Sequence, residues 1–489
     1  MEIVVPPWLS CPNSIASALE LALEKGLAVL GEQLPPDWQK WVDKYQQSLA
    51  KIEYPKILLV EPDGVKFRAA VVAFFRIGRG ELFIANHQWQ GREWQQVVQF
   101  LQPDRLWGSS QWQQQWLRLQ SDSWNTKPLA HKTSTLECQP EQPKSGLIIG
   151  FPTGGSSGRI RFALHTPQTL AIAVAGLQEF LVPLLSNNGQ INSFCVLPMH
   201  HVGGFMQWWR SALTGGKFSP LDYGLVKQIP PPLPPNYVTS LVPTQLEYLL
   251  DRHGDWLKNF PLIFLGGAPA WPALLARAKT TAINLAPTYG MTETAAQIAT
   301  LTPGEFLAGQ KGVGKPLPHV RLTIINHQGE SIMSGAVGTI CIDSGALCQG
   351  YIPEHPDFPG KIFTTGDLGY CQNGYLYITG RQGRRIISGG ENIDPGEVEA
   401  FLLDQNLVQD VLIIGVSDCH WGEMLVAIYV PKADQQDDVN ALAQYLKSQL
   451  SGPKCPKHWF PVPDLRRSPL GKLNHQFWYD WASEQLDRK

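Results

Sequence analysis

The sequence predicts an α/β protein with a large N-terminal domain of layered α/β subdomains, a small β subdomain and a small α+β C-terminal domain. From Leu147 onward, short apolar strands alternate with glycine-rich turns and helix-like stretches, which is typical of α/β layers. Several short strands interrupted by glycines lie between about residues 320 and 378 and predict the β subdomain. After Arg381 the pattern changes again, which predicts the separate C-terminal unit.

Length and composition limit the possible classes of protein. With 489 residues, the chain exceeds the size at which one hydrophobic core keeps growing. Lys and Arg total 40 against 42 Asp and Glu, so nothing favours a nucleic acid or an anionic membrane as partner. The eight scattered cysteines contain no Cys-x-x-Cys pair, which argues against a zinc ribbon or a disulfide framework. Without a signal peptide or a membrane span, we expect a cytoplasmic protein.

The first 145 residues read as a mixed α/β segment. Residues 56–60 predict a buried strand, whereas the apolar run 69–75 is either a strand or a helix, because it shows no periodicity. Residues 88–124 are rich in Gln and Trp and predict amphipathic helices with aromatic ridges. An interaction surface is the alternative interpretation of that stretch.

The C-terminal unit carries a clear helix start. Asp394 suits the N-cap, Pro395 the first helical position, and Glu397 completes a capping box. The pattern that follows predicts a helix, two strands and a second helix, over residues 397–403, 410–416, 424–431 and about 437–450. The domain boundary therefore falls near residues 380–384, and ligand sites commonly lie at such junctions.

A loop rich in Gly, Ser and Thr directly follows the predicted strand 146–150. Its backbone N–H groups and hydroxyls suit phosphate oxygens, although the Gly-Lys ending of a Walker P-loop is missing. A surface linker is the alternative interpretation. The residues that would bind phosphate are Thr153, Gly154, Gly155, Ser156, Ser157 and Gly158.

A second motif spans residues 287–294. Tyr289 can stack on a base, the Thr292 hydroxyl can reach a phosphate, and Glu293 can bind Mg²⁺ through oxygen. Taken alone, the segment could equally be an ordinary strand-to-helix turn.

Two further elements complete the set of candidates. Asp367, in Thr365-Gly366-Asp367, could accept hydrogen bonds from both hydroxyls of a ribose, with Arg381 nearby in the sequence. A lone Thr-Gly-Asp is more often a β-turn. Lys472 lies in a Gly-Lys turn 17 residues before Lys489, where a lysine is usually only solvated.

These four elements, in this order, resemble the adenylate-forming (acyl-CoA synthetase) superfamily over about residues 145–475. The resemblance implies ATP as a substrate, with Tyr289 beside adenine, Thr292 on the α-phosphate, and Mg²⁺ on Glu293. It implies that Asp367 holds the ribose, that Arg381 assists ribose or phosphate binding, and that Lys472 is catalytic. It also adds Gly267, Ala268 and Gly290 to the nucleotide site.

The same resemblance implies three parts: a core domain 1–380, a hinge 381–384 and a mobile C-terminal domain 385–489. The superfamily's pivot residue is usually Asp or Lys, but here it is Gly383. The phosphate loop also departs from the superfamily pattern. Gly154 replaces a serine, Ile160 a proline and Arg161 a lysine.

Five segments look like those of o-succinylbenzoate–CoA ligases: 194–204, 239–246, 264–269, 289–297 and 388–393. The similarity implies ligation of 2-succinylbenzoate to coenzyme A in menaquinone or phylloquinone biosynthesis. The acid pocket would then include His201, Ser240, Gly266 and Gly290, and the pantetheine arm would pass Gly389 and Gly390. The imidazole of His201 could bind one carboxylate of the acid while the other reacts, whereas His200 could be structural.

Other functions stay open at this point. Another aryl- or acyl-CoA ligase would share most of these motifs. A peptide-synthetase adenylation domain is disfavoured because the chain ends soon after Lys472, with no carrier domain. A non-catalytic nucleotide-binding protein is supported only by the altered phosphate loop.

Overall fold

The computed structural model describes the chain in several segments. These are residues 11–29, 32–87, 89, 91–114, 116, 146–153, 160–185, 188–233, 235–353, 362–382, 386–388, 391–393, 395–418, 422–432, 439–450, 454–468, 471 and 473–487. No helix within these segments is long and apolar enough to cross a membrane.

The first sheet has six strands in the order β15-β5-β4-β2-β1-β3. Strands β4, β2, β1 and β3 are parallel, whereas β5 and β15 run antiparallel to their neighbours. The strands are β1 (Lys56–Val60), β2 (Gly80–Ile84), β3 (Arg105–Gly108), β4 (Leu147–Thr153), β5 (Arg161–His165) and β15 (Tyr351–Ile352). The helices of this region are α1 (Pro12–Val29), α2 (Trp38–Gln47), α3 (Gly64–Ile77) and α4 (Gly91–Leu101).

The apolar run 69–75 belongs to α3 and is a helix. Asp63 caps the helix by accepting from the backbone N–H groups of Val65 and Lys66, at 2.9 and 3.2 Å. Gly78 ends it in the left-handed conformation, with φ 77°. Every residue from Ala69 to Phe75 is fully buried, so the helix has no polar face that could have produced a period in the sequence.

The second sheet has seven strands in the order β12-β11-β10-β9-β8-β6-β7. Strands β10, β9, β8, β6 and β7 are parallel, and their carboxyl ends therefore share one edge. The strands are β6 (Asn192–Cys195), β7 (Phe218–Pro220), β8 (Tyr237–Leu241), β9 (Leu262–Leu265), β10 (Leu285–Gly290), β11 (Gln297–Thr300) and β12 (Lys315–Pro316). The helices are α5 (Pro167–Leu181), α6 (Val202–Leu213), α7 (Tyr223–Gln228), α8 (Pro243–Leu257), α9 (Pro272–Thr280) and α10 (Pro303–Leu307).

The predicted β subdomain is confirmed as an antiparallel sheet of four strands in the order β13-β14-β16-β17. Its register places Asp367 directly opposite Arg381. The strands are β13 (Val320–Ile325), β14 (Gly338–Ser344), β16 (Ile362–Gln372) and β17 (Tyr375–Arg381).

The last region folds as an α+β unit around its own sheet, in which β19, β18, β21 and β20 follow one another and β22 pairs with β21. One apolar cluster, with Ile386 and Leu402, packs on one side, and another, with Leu412 and Trp478, includes the final helix. The predicted strands and helices occur within about two residues of their expected bounds. The elements are β18 (Ile386–Ser388), β19 (Glu391–Ile393), α11 (Pro395–Asp404), β20 (Asp410–Asp418), β21 (Gly422–Val430), α12 (Val439–Gln449), β22 (His458–Pro461) and α13 (His475–Asp487).

A hydrogen bond joins this α+β unit to the second sheet's helices. The Ala273 backbone N–H, in the first turn of α9, donates to Asp404 Oδ1 at 2.6 Å. The residue at the N-cap position of α9 is Trp271, which makes no side-chain cap of its own. Asp404 therefore caps a helix of another part of the chain.

Candidate active site

Glu293 lies where the first and second sheets meet. It sits in a single 3₁₀ turn, Thr292–Thr294, directly after β10. Two hydroxyls donate to its Oε1: Thr153 Oγ1, at the end of β4, at 3.1 Å, and the Tyr351 hydroxyl, on β15, at 3.0 Å. A side chain carried by the second sheet is thus held by two strands of the first.

The backbone of this turn is held from the same side. His165 Nε2 lies 2.8 Å from the Thr292 carbonyl oxygen and donates to it, so Nδ1 accepts from the Thr169 hydroxyl at 3.0 Å. Complete burial lowers the pKa of His165 to about 4, so the ring is neutral at pH 7. The Cys348 backbone N–H donates to the Glu293 carbonyl at 2.8 Å. The Thr292–Glu293 peptide therefore has little freedom to move.

Asp367 forms the second acidic centre. The Tyr289 hydroxyl donates to Asp367 Oδ2 at 2.6 Å, and Arg381 Nε lies 3.7 Å from Oδ1. Burial, followed by the charge of Asp367, raises the pKa of Tyr289 well above its usual value, so the hydroxyl stays a donor. Thr365-Gly366-Asp367 lies inside β16 and is not the β-turn that a lone motif would form. Asp367 and Arg381, which are close in the sequence, are thus brought side by side by the pairing of β16 with β17.

Glu293 fits a magnesium ion that is shared with a nucleotide. Within the described segments, no three His, Cys, Asp or Glu side chains are grouped to hold a metal by themselves. Mg²⁺ does not need such a cage, because it usually takes one or two carboxylates together with substrate phosphates and water. Glu293 is half-buried, and no basic side chain in the described part of the chain lies within 4 Å of it. It can therefore supply the one carboxylate that such a shared ion needs.

The residues predicted for the acid pocket follow one sheet edge. His201 precedes α6 after β6, Ser240 is the penultimate residue of β8, Gly266 follows β9, and Gly290 ends β10. Those four strands are neighbours in the second sheet, so the four residues share its carboxyl edge. A Cβ on Gly290 would lie 2.3 Å from the Ala296 carbonyl oxygen, which explains the glycine there. Their roles stay a prediction.

Three histidines gather beyond this edge. The His200 ring lies 4.3 Å from the His201 ring and 5.1 Å from that of His87, which follows β2 of the first sheet. Burial, followed by the charge of His87, lowers the pKa of His200 to about 3. His87 was not predicted, because a lone histidine between a strand and a Trp/Gln-rich stretch gives no signal in the sequence.

Gly267 and Ala268 follow Gly266 in the loop after β9. Gly267 has φ 83°, in the left-handed region that favours glycine. Ala268 is half-buried in the same turn. The loop therefore lies beside the end of β10, where Tyr289 and Gly290 are found.

Several predicted site residues lie outside the described segments. They are Gly154, Gly155, Ser156, Ser157, Gly158, Gly383, Gly389, Gly390 and Lys472. Gly471 is described, and its carbonyl accepts from Arg467 Nη1 at 2.8 Å. Arg467 also binds both oxygens of Asp410, at 2.5 and 2.7 Å. A Cβ on Gly471 would lie 3.9 Å from Thr244 Oγ1, so this glycine lies close to the start of α8.

Two family models match the chain. The model for the AMP-binding enzyme matches residues 69–352, and that for the AMP-binding enzyme C-terminal domain matches residues 397–472.

Curated relatives are CoA ligases for aromatic acids. A 2-succinylbenzoate–CoA ligase of Geobacillus sp. (strain WCH70) is 33% identical over 291 residues, which cover 57% of this chain and 59% of that protein. An indoleacetate–CoA ligase of Aromatoleum aromaticum is 29% identical over 348 residues, which cover 68% and 66%. The chain thus matches less than two thirds of the length of either relative.

Solved structures share the fold over nearly the whole chain. The o-succinylbenzoate CoA synthetase of Bacillus subtilis, in complex with its acyl-adenylate intermediate, superimposes with a TM-score of 0.77 at 21% identity, covering 95% of this chain and 97% of that one. An amide bond synthetase of Marinactinospora thermotolerans gives 0.74 at 20% identity, covering 96% and 99%.

Proposed function

Because the chain belongs to the AMP-binding enzyme family, we propose that it ligates 2-succinylbenzoate to coenzyme A through an acyl-adenylate, releasing AMP and pyrophosphate. The observation that carries the adenylation step is that one short segment, Tyr289 to Glu293, connects two carboxylates. Tyr289, at its start, donates to Asp367, and Glu293, at its end, accepts from Thr153. The named ligases of this acid support the choice of substrate. Such a reaction belongs to menaquinone or phylloquinone biosynthesis and, given its substrates, to the cytoplasm.

The nucleotide would lie between the two acidic centres. Asp367 can accept from ribose hydroxyls through the oxygen that faces Arg381, while Tyr289 holds the other oxygen. Thr153 starts the phosphate loop at the end of β4, 3.1 Å from Glu293, so phosphates reaching that loop would lie beside this carboxylate. Thr292 directly precedes Glu293 in the chain and is 8% exposed. Its hydroxyl would bind the α-phosphate beside that carboxylate.

Glu293 would hold the magnesium ion that accompanies ATP. When bound there, the ion would supply positive charge to the phosphate oxygens. Glu293 itself fixes the position of that charge relative to Thr153 and the phosphate loop. No hydrogen-bond donor of Glu293 in the described segments carries a charge, so these two donors do not neutralise the carboxylate.

The first step is an attack of one carboxylate oxygen of the acid on the α-phosphorus of ATP. The bond from that phosphorus to the bridging oxygen breaks, and pyrophosphate leaves. Lys472 would stabilise the negative charge that develops there. His201, Ser240, Gly266 and Gly290 would hold the acid along the edge of the second sheet, where its other carboxylate can meet the imidazole of His201.

In the second step the CoA sulfur attacks the acyl carbon, the bond to the AMP oxygen breaks, and the thiol proton is released. We place the hinge at residues 381–384, with Gly383 as pivot, between a core domain 1–380 and a mobile domain 385–489. The separate apolar clusters of the C-terminal unit support this division. Gly389 and Gly390 would let the pantetheine arm pass close to the backbone.

The test is ATP-dependent pyrophosphate release, with CoA consumption followed in parallel. The acids are 2-succinylbenzoate, indoleacetate, benzoate, 4-hydroxybenzoate and a medium-chain fatty acid, and a reaction without acid is the control. Selective turnover of 2-succinylbenzoate with loss of CoA is the expected result. Turnover of indoleacetate instead would keep the chemistry and reject the acid. Binding of ATP without turnover of any acid would reject ligation and favour a non-catalytic nucleotide-binding protein.

A further inference from the structure

We propose that Tyr351 is a positioning residue for Glu293, and that its hydroxyl sets the affinity of the site for the magnesium–nucleotide complex. The inference rests on the proposed function, because it takes Glu293 to be the residue that binds the magnesium ion of a bound ATP. Neither the sequence motifs nor the comparisons assign a role to this tyrosine.

Tyr351 reaches Glu293 from a strand of its own. Strand β15 has two residues and pairs antiparallel with β5, so that Tyr351 lies opposite Ala163. The side chain is 9% exposed and packs with Ala163 and Cys348. The Cys348 backbone N–H bonds the Glu293 carbonyl, so the segment 348–351 holds both the backbone and the side chain of Glu293.

The direction of the hydrogen bonds matters for a cation. Within the described part of the chain, both hydroxyls that reach the Glu293 carboxylate, from Thr153 and Tyr351, donate to Oε1. Two donors on one oxygen fix the rotation of the carboxylate group and leave Oε2 to a metal ion. A ligand whose orientation is fixed by such partners binds a metal more tightly than one that rotates freely.

The chemistry of the donor also suits this role. A tyrosine hydroxyl orients a carboxylate without neutralising it, whereas Lys or Arg in the same place would compete with the cation. The Tyr351 hydroxyl is uncharged and donates to the Glu293 carboxylate at 3.0 Å, so it orients this group without adding a positive charge.

The decisive variant is Tyr351→Phe, which removes the hydroxyl and keeps the ring. Binding of ATP is titrated by calorimetry without magnesium and at several magnesium concentrations, and thermal unfolding is recorded on the same samples. We expect the magnesium concentration for half-maximal binding to rise roughly ten-fold, since a hydrogen bond to a charged group is lost. Binding of ATP without magnesium should stay unchanged.

Tyr370→Phe is the matched control. Tyr370 stacks on Tyr377 in the β subdomain, with ring centroids 4.7 Å apart, and neither touches Glu293. This variant should show the magnesium dependence of the unchanged protein. A purely structural role of Tyr351 would lower the thermal midpoint and leave the magnesium dependence as it was, and that result overturns the proposal.

A second pair of variants keeps the test valid if Tyr351→Phe does not fold. Thr153→Val removes the other hydroxyl donor of Oε1, whereas Thr153→Ser keeps it. Only the valine variant should need more magnesium, and its binding of ATP without magnesium shows any separate loss of a phosphate contact. Equal magnesium dependence of the two variants would contradict the proposal. The binding measurements need no acid, so a protein that binds magnesium–ATP as expected but turns over no acid would reject the proposed function and leave this inference standing.

Discussion

Glu293 and Asp367 are two carboxylates of one candidate site whose surroundings differ in charge. Each accepts a hydrogen bond from a tyrosine hydroxyl, Glu293 from Tyr351 at 3.0 Å and Asp367 from Tyr289 at 2.6 Å. Asp367 also has the guanidinium of Arg381 3.7 Å away, whereas no basic side chain in the described segments lies within 4 Å of Glu293.

The difference indicates what each carboxylate can bind. An acidic group that is oriented by neutral donors keeps its attraction for a cation, while one with a basic neighbour is better suited to the neutral hydroxyls of a sugar. Changes at Glu293 should therefore alter magnesium dependence, and changes at Asp367 should alter nucleotide affinity regardless of magnesium.

The largest effect is expected for Glu293→Gln. Removing the charge but not the shape should lower the rate of adenylate formation by about 100- to 1000-fold, the usual loss when a group that stabilises transition-state charge is removed. The rate is measured as acid-dependent pyrophosphate release over a range of magnesium concentrations. If the magnesium concentration for half-maximal rate stayed the same as in the unchanged protein, Glu293 would not be a metal ligand.

The next effect concerns the free energy of unfolding, and it involves the Glu293 side of the site rather than the Asp367 side. His165 supports the Glu293 turn, and its pKa is lowered to about 4 from 6.5 in the unfolded chain. The unfolded state binds the proton first as the pH falls, so this stability is complete above pH 6.5 and is lost progressively between 6.5 and about 4. The loss is about 3 kcal/mol for this group.

His165→Asn should remove this part of the pH dependence. The free energy of unfolding, from denaturant titrations at several pH values, should fall less steeply below pH 6.5 in the variant than in the unchanged protein. Identical slopes would show that His165 does not act as a buried neutral donor to Thr292.

A smaller effect is expected for Asp367→Asn. The amide keeps the shape but has fewer acceptor sites, so the KM for ATP should rise by roughly 10- to 30-fold through weaker hydrogen bonds to the ribose. The magnesium concentration for half-maximal rate should not change. A change in magnesium dependence equal to that of Glu293→Gln would remove the distinction between the two carboxylates.

The smallest effect is expected for Arg381→Met. The Arg381 side chain is 58% exposed, and its Nε lies 3.7 Å from Asp367, so the pair contributes little in water. The KM for ATP should rise by about two- to three-fold at low salt and should approach that of the unchanged protein at about 0.5 M salt, where exposed charges are screened. A salt-independent effect of ten-fold or more would show direct contact with the nucleotide.

The candidate ligand-facing residues could be predicted from the sequence more readily than the residues that support them. Glu293 and Asp367 stand in compact motifs with fixed order, so both could be proposed as site residues without a structure. Tyr351 and His165 could not, because their partners are 58 and 127 residues away and neither lies in a motif with distinctive spacing. Contacts between distant segments are set by the sheets, and a single sequence does not report them.

The fold shows a similar division. The α+β unit after Arg381 combines a helix-start signal with apolar runs of strand length, so its strands and helices were predictable to within about two residues. The run Ala69–Phe75 was not, because complete burial removes the polar face by which a helix is recognised. The proximity of His87, which follows a strand of the first sheet, to His200, which follows a strand of the second, also lies beyond what periodicity can show.

In the proposed domain rotation, the bond from Ala273 to Asp404 would affect the balance between orientations of the C-terminal unit. Since α9 has no cap of its own, the helix end is complete only while Asp404 is present. A helix N-cap is worth about 1 kcal/mol, which corresponds to roughly a five-fold population ratio. This contact therefore biases the unit toward one orientation only weakly. A ligand that prefers another orientation by about twice this free energy would reverse the ratio, so the proposed domain rotation would not have to wait for a strong interface to break.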